Sequence, residues 1–180
     1  MKTAHPSSSS HALAGGFTLL ELMTALAVLG ILIGIGVPSF NRMVRNSQVA
    51  AESGNLVSAF NLARSEALKR GLRVSLCGAA PSMDACAEDG SWNGGWILFE
   101  DDFGDMGVLD ESDVVLQTWG APANGVTITT DTPSVSFTRE ARAEFAESFA
   151  VAKPGCSGTE QRQIDITISG RVGIKAAPCT

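Results

Sequence analysis

Between Phe17 and Val37 the chain keeps an apolar pattern for 21 residues, and Glu21 is the only charged side chain in that stretch. As a helix the stretch would rise about 1.5 Å per residue, or about 31 Å in all, which matches the hydrocarbon thickness of a bilayer. The pattern therefore predicts a membrane-spanning helix. Past Pro38 the periodicity becomes one-sided. Met43, Val44, Leu56, Phe60, Ala63 and Ala67 recur at spacings near three, four and seven with polar residues between them, the signature of a helix with one buried face. Lys69 and Arg70 followed by Gly71 form a stop signal, so one long helix is expected over 17–70. Gly30, Gly34, Gly36, Pro38 and Gly54 lower its helix propensity, and a kink or melted turn is expected near Pro38.

After Gly71 the pattern shifts to short alternating or β-branched runs: 72–77, 95–100, 114–119, 126–130, 134–138, 143–151, 163–168 and 171–175. Asn93-Gly94, Asn124-Gly125 and Ser169-Gly170 supply turns, the last closing a hairpin between the final two runs. The fold class expected is α+β, a long N-terminal helix whose second half packs on antiparallel β-sheet. The domains read as 1–16, a leader; 17–37, the spanning half; 38–71, the amphipathic half; and 72–180, a β-rich domain. Trp96 and Trp119 are expected to be buried or half-buried, and Trp92, in a loop, to be the exposed one of the three.

A carboxylate inside a membrane helix costs about 2.5–3.5 kcal/mol on insertion scales, so Glu21 calls for a partner. A cut after Gly16 would make Phe17 the N-terminus and place its amine one helical turn from Glu21. The apolar run is too long for a secretory signal peptide, and no small-residue cleavage site follows it.

The segment Gly16-Phe17-Thr18-Leu19-Leu20-Glu21 resembles the prepilin-peptidase site of type IV pilins and type II secretion pseudopilins. The resemblance implies removal of Met1 to Gly16 by a prepilin peptidase, N-methylation of Phe17, and pairing of Glu21 with the terminal amine of a neighbouring subunit during filament assembly. Further on, Gly95-Trp96-Ile97-Leu98-Phe99, an acidic loop and Val114-Val115-Leu116 are similar to the GspH/FimT (FimU-like) minor pilin group, as is the closing Ser169-Gly170-Arg171-Val172 hairpin with its late cysteine. The implied role is a minor pilin of a type IV pilus, incorporated by helix packing and priming or capping assembly. The alternatives are a GspH-like pseudopilin of a type II secretion system and a DNA-binding minor pilin for uptake. The implied partners are other minor and major pilins or pseudopilins. The implied location is the bacterial inner membrane, single-pass with a periplasmic domain, and afterwards the pilus or pseudopilus.

Charge and cysteines narrow the chemistry. The formal charge is −6 and becomes more negative when the leader with Lys2 is removed, which argues against general attraction to nucleic acid. Lys2 precedes the span while Arg42 and Arg45 follow it, so the positive-inside rule does not orient it. Four cysteines lie beyond the span, none in a Cys-x-x-Cys pair, and suggest two disulfides with three connectivities open. Cys77 with Cys86 and Cys156 with Cys179 are favoured. Zinc would need tightly spaced ligands, and the only histidines, His5 and His11, lie in the leader.

The mature chain would hold no histidine or tyrosine, leaving acids, serines and Lys153 but no catalytic motif; no enzyme and no cofactor are expected. Asp101, Asp102, Asp105 and Asp110 form a candidate calcium loop, though the register puts Phe103 and Met106 where oxygen and glycine belong. Where DNA-binding FimT-like hairpins carry Gly-Arg-x-Arg, this chain reads Gly170-Arg171-Val172-Gly173. The second arginine is missing, and Arg171 with Lys175 would make a weak phosphate site.

Overall fold

In the computed structural model, residues 18–101 and 104–179 are described. They fall into two units that divide after Asn41. Most of the amphipathic half groups with the strands.

Helix α1 runs Leu19–Arg70. Its first turn is organised by Thr18, whose Oγ1 accepts from the Glu21 amide at 3.2 Å and whose carbonyl accepts from the Leu22 amide at 3.1 Å, an N-cap arrangement. At the other end Gly71 has φ +70 and its amide donates to the Ala67 carbonyl at 2.9 Å, a left-handed cap with Lys69 and Arg70 in the turn before it. Pro38 sits inside the helix without ending it, so the expected melted turn is absent. Proline removes one amide donor, and the helix continues through it despite the weak helix formers Gly34, Gly36 and Val37 just before it.

Within the first unit, no residue of the apolar window is buried. In the second unit, α1 buries Val49, Ser53, Leu56, Ala59, Phe60, Ala63 and Ala67. The packed stripe starts later than expected. Met43 is 72% and Val44 37% exposed, because the buried apolar packing of α1 begins only at Val49. Ser53 joins the stripe by returning its hydroxyl to the Val49 carbonyl at 2.7 Å, which satisfies the only polar atom it brings.

The eight predicted strands are present: β1 Val74–Gly78, β2 Gly95–Glu100, β3 Val114–Gly120, β4 Thr127–Thr129, β5 Ser134–Phe137, β6 Glu147–Ala152, β7 Gln161–Ile166 and β8 Val172–Ala177. They form two four-stranded sheets, ordered β3-β2-β1-β5 and β4-β6-β7-β8, and every pairing is antiparallel. The run expected to start at 143 becomes a strand only at Glu147. The last hairpin turns through five residues, Thr167 to Arg171, rather than at Ser169-Gly170 alone, with the Thr167 amide on the Arg171 carbonyl at 3.0 Å.

One core joins α1 to both sheets. Phe60, Trp92 and Phe149 pack their rings in tilted and edge-to-face arrangements at centroid distances of 5.0–5.9 Å, surrounded by Leu56, Leu76, Leu98, Val135, Val151 and Ile164. Trp92 is completely buried, contrary to its expected exposure. Its Nε1 donates to the Thr132 carbonyl at 2.9 Å, so the loop position brings the indole inward with its polar atom satisfied. The opposite face of the first sheet is also covered. Cys77, Ala79, Ile97 and Phe99 pack there under Met83, Cys86 and Leu109, which is why β2 reads as the unbroken apolar run Trp96 to Phe99.

Candidate functional site

Three places singled out by the sequence can be compared in the structure: the start of α1, the acidic loop after β2, and the last hairpin. Gly16, Phe17 and Asp102 lie outside the described residues.

At the start of α1, the Glu21 amide is held by Thr18, while the Glu21 carboxylate has no hydrogen-bond or ion-pair partner among the described residues. It borders a shallow apolar face with Thr24, Ala25, Val28, Leu29 and Leu32. At about 100° per residue, Gly30 and Gly34 fall on the other side of the helix, about 180° and 220° round from Glu21. Neither has any atom within 4 Å of where a Cβ would stand. The first unit therefore offers two separate packing faces, one bearing an anion and one small enough for close backbone approach.

The acidic loop is organised around Asp101, which is fully buried. Its carboxylate accepts from Arg73 Nη2 at 2.9 Å, from the Gly107 amide at 2.8 Å and from Ser75 Oγ, and Ser75 in turn contacts Ser136 at 2.6 Å. Gly107 has φ +77, and a Cβ there would meet Ser134 Oγ at 2.1 Å, so only glycine lets the loop lie this close to β5. Asp110 is spent locally, its Oδ1 accepting from the Ser112 amide at 2.8 Å and hydroxyl at 2.6 Å. These bonds, with the Ser112 hydroxyl first, hold its carboxyl below the usual range. Burial pushes the neighbouring Asp113 carboxyl up. Asp105 is exposed. Among the described residues no group of three or more metal-ligating side chains converges. The candidate calcium loop is thus not assembled around Asp101, Asp105 and Asp110. Asp101 pins the loop to the sheet.

In the hairpin, Arg171 is exposed and stands one residue before β8. Lys175 lies opposite Gln163 and pairs with Asp165 at 2.8 Å. Half of the expected phosphate site is already engaged with a carboxylate.

The cysteines are joined Cys77–Cys86, with Cα atoms 5.6 Å apart, and Cys156–Cys179, 5.9 Å apart. The first closes the loop over the second face of sheet one, and the second ties the chain's end to the segment after β6. Two features escaped the sequence reading. Asp101 looked like one ligand among several acids, and only the burial of its β2 edge marks it as an anchor. Asn46 and Gln48 hold Arg162 and Lys153, a meeting across more than a hundred residues with no local signal.

Comparison with known proteins follows this geometry. The family described as "Type II transport protein GspH" matches residues 52–171, and a prokaryotic N-terminal methylation motif matches residues 13–37. Among curated protein sequences none matches. The fold is similar to the type IV minor pilin FimU of Pseudomonas aeruginosa, at 18% identity and a TM-score of 0.55 over 78% of this chain and 98% of that one. It is also similar to the minor pseudopilin EpsH from the type 2 secretion system of Vibrio cholerae, at 10% identity and a TM-score of 0.51 over 72% and 97%. The chain belongs to the GspH family of minor pilins and pseudopilins.

Proposed function

We propose that this GspH-family chain is a minor subunit of a type IV pilus, stored in the bacterial inner membrane by its N-terminal helix and then packed into the filament, where it primes or caps assembly. The observation that carries this reading is the first half of α1, an apolar stretch unburied among the described residues and bearing one carboxylate, Glu21, with no partner among them. In this reading prepilin peptidase removes Met1 to Gly16 and the Phe17 amine is methylated, which the methylation motif supports. The amine of one subunit then meets Glu21 of the next. A carboxylate costly in lipid gains a counter-charge only when the subunits are in register, so the same group opposes misplacement and rewards stacking. Two packing faces suit a filament interior, in which each helix has neighbours on more than one side.

The pilus role draws support from the likeness to FimU. The family description and the likeness to EpsH favour a second reading, a pseudopilin of a type II secretion machine. Anchor physics is common to both. Deleting the gene separates them: surface pili disappear while protein export continues under the first reading, and the reverse holds under the second. The processing step is tested by the intact mass of the mature chain, which should lack residues 1–16 and carry one added methyl. A mass corresponding to an uncut chain would remove both readings.

A further inference from the structure

Cations in the globular unit are treated in two ways. Lys69, Arg70, Arg73, Arg139 and Lys175 each hold a carboxylate. Seven others form no ion pair among the described residues: Arg64, which donates to the Ala141 carbonyl, Arg142 and Arg171, and the group Arg42, Arg45, Lys153 and Arg162. Instead, Lys153 Nζ donates to Gln48 Oε1 at 2.7 Å, and Arg162 Nη2 donates to Asn46 Oδ1 at 2.6 Å. Arg162 Nη1 adds bonds to the Thr159 and Gln161 carbonyls at 3.1 and 3.3 Å. Gly155 brings the loop after β6 against Arg45, since a Cβ there would stand 3.3 Å from Nη1. Arg45 Nε is buried without an acceptor, and Arg42 is exposed. Glu160 and Glu52 on the neighbouring elements keep their negative charge but form no ion pair with these four. Glu160 accepts from the Ser157 amide at 3.2 Å, and Glu52 from the Ala123 amide at 3.1 Å. Lys153 and Arg162 are therefore positioned by neutral groups that fix them without neutralising them, and Arg42 and Arg45 have no ion-pair partner among the described residues.

Arg42 and Arg45 follow the apolar span closely in the chain. Arg42 is five residues beyond Val37, a stretch that reaches at most about 18 Å even when fully extended. Lys153 and Arg162 are bonded within the same turn of α1 as Arg45. We propose that Arg42, Arg45, Lys153 and Arg162 form a clamp for the phosphate headgroups of anionic phospholipids, holding the globular unit on the membrane surface while the subunit is stored. The inference rests on the reading that 17–37 crosses the bilayer. It explains why a chain of net charge −6 keeps these four cations without an ion-pair partner among the described residues. Long cationic side chains at the end of a span reach readily into the polar layer, and each cation near an anionic surface strengthens attachment roughly fivefold.

The test uses the full chain reconstituted in nanodiscs of phosphatidylcholine with about one third phosphatidylglycerol. Flotation in matching vesicles first reports insertion. Native mass spectrometry then counts the lipids retained on the protein. The expected result is about tenfold enrichment of phosphatidylglycerol over phosphatidylcholine, falling below about twofold in the combined variant Arg42→Gln, Arg45→Gln, Lys153→Gln, Arg162→Gln. Two further arms guard against a folding defect: Arg42→Lys with Lys153→Arg should keep the enrichment, and 0.5 M salt should abolish it in the unaltered chain. Insertion without any phosphatidylglycerol preference would overturn the clamp and leave the membrane reading standing. Failure to float would overturn both. Displacement of the retained lipid by equimolar duplex DNA would assign the cluster to nucleic-acid phosphate and overturn the lipid proposal.

Discussion

The two halves of α1 differ in what completes them. From Val49 to Ala67 the helix presents a single stripe, and its own chain fills the other side with Trp92, Phe149 and both sheets. In its first half Glu21 is the one charge up to Val37, and no residue of the apolar window is buried among the described residues. The first arrangement makes a self-sufficient domain. In the proposed reading the second makes a segment whose partners come from outside, lipid first and other helices later. Perturbations should therefore read out in folding for one half and in assembly for the other.

The largest effect on folding is expected in the ring cluster. Phe60→Ala removes a fully buried side chain and should cost about 3–5 kcal/mol. Its counterpart Leu29→Ala in the apolar half should change the unfolding of the globular unit by less than about 0.5 kcal/mol. Denaturation in detergent, followed by fluorescence, measures both, because all three tryptophans lie in the globular unit. Equal effects would erase the distinction between the halves.

Next comes the loop anchor. Asp101→Ala leaves Arg73, Ser75 and the Gly107 amide without their shared acceptor and should cost about 3 kcal/mol. Because that carboxylate is already committed, millimolar calcium should not raise the melting temperature of the unaltered protein; a rise would return the loop to the list of metal sites. Replacing Cys156 and Cys179 by serine opens a loop of separation 23 and should cost about 3 kcal/mol by chain entropy. The Cys77–Cys86 pair, separation 9, should cost less on that account alone.

The smallest effect is electrostatic. The Lys175 ammonium, followed by bonds from Gln163 and Ser148, holds the Asp165 carboxyl below its ordinary value of 3.8. A lowered folded-state value means that the contribution is complete above about pH 4 and is lost as the pH falls through the depressed value. The pair is well exposed, at 59% and 39%, so the gain is small and screened by salt. Melting curves between pH 6 and pH 2 should show a shallow decline that Asp165→Asn flattens.

Local features were legible in the sequence because each is written in neighbouring residues. The apolar run before Pro38, the cap at Gly71 and the eight strands all fall in this class. What was hidden depends on meetings between distant segments. Met43 and Val44 continue the helical period yet stay exposed, since period alone does not tell where the sheets begin to cover α1. Trp92 sits in a loop and is nevertheless central to the core, because Thr132, forty residues on, takes its indole proton. Asp101 is one acid among many until Arg73 and Gly107 close on it. The hairpin cations showed the same limit, as Asp165 across the ladder had to be found before Lys175 could be counted as engaged. The division of the strands into two sheets likewise comes from pairing order, with β1 beside β5 rather than β4, which no single run announces.

The claim that Glu21 is an assembly determinant, and not part of any fold within its own chain, is tested most directly by comparing Glu21→Ala with the unaltered subunit in membranes and in sheared filaments. The account predicts equal amounts and equal processing in the membrane fraction, with incorporation into filaments reduced about tenfold or more, as loss of a buried charge pairing of a few kcal/mol requires. Equal incorporation of the two proteins would contradict it.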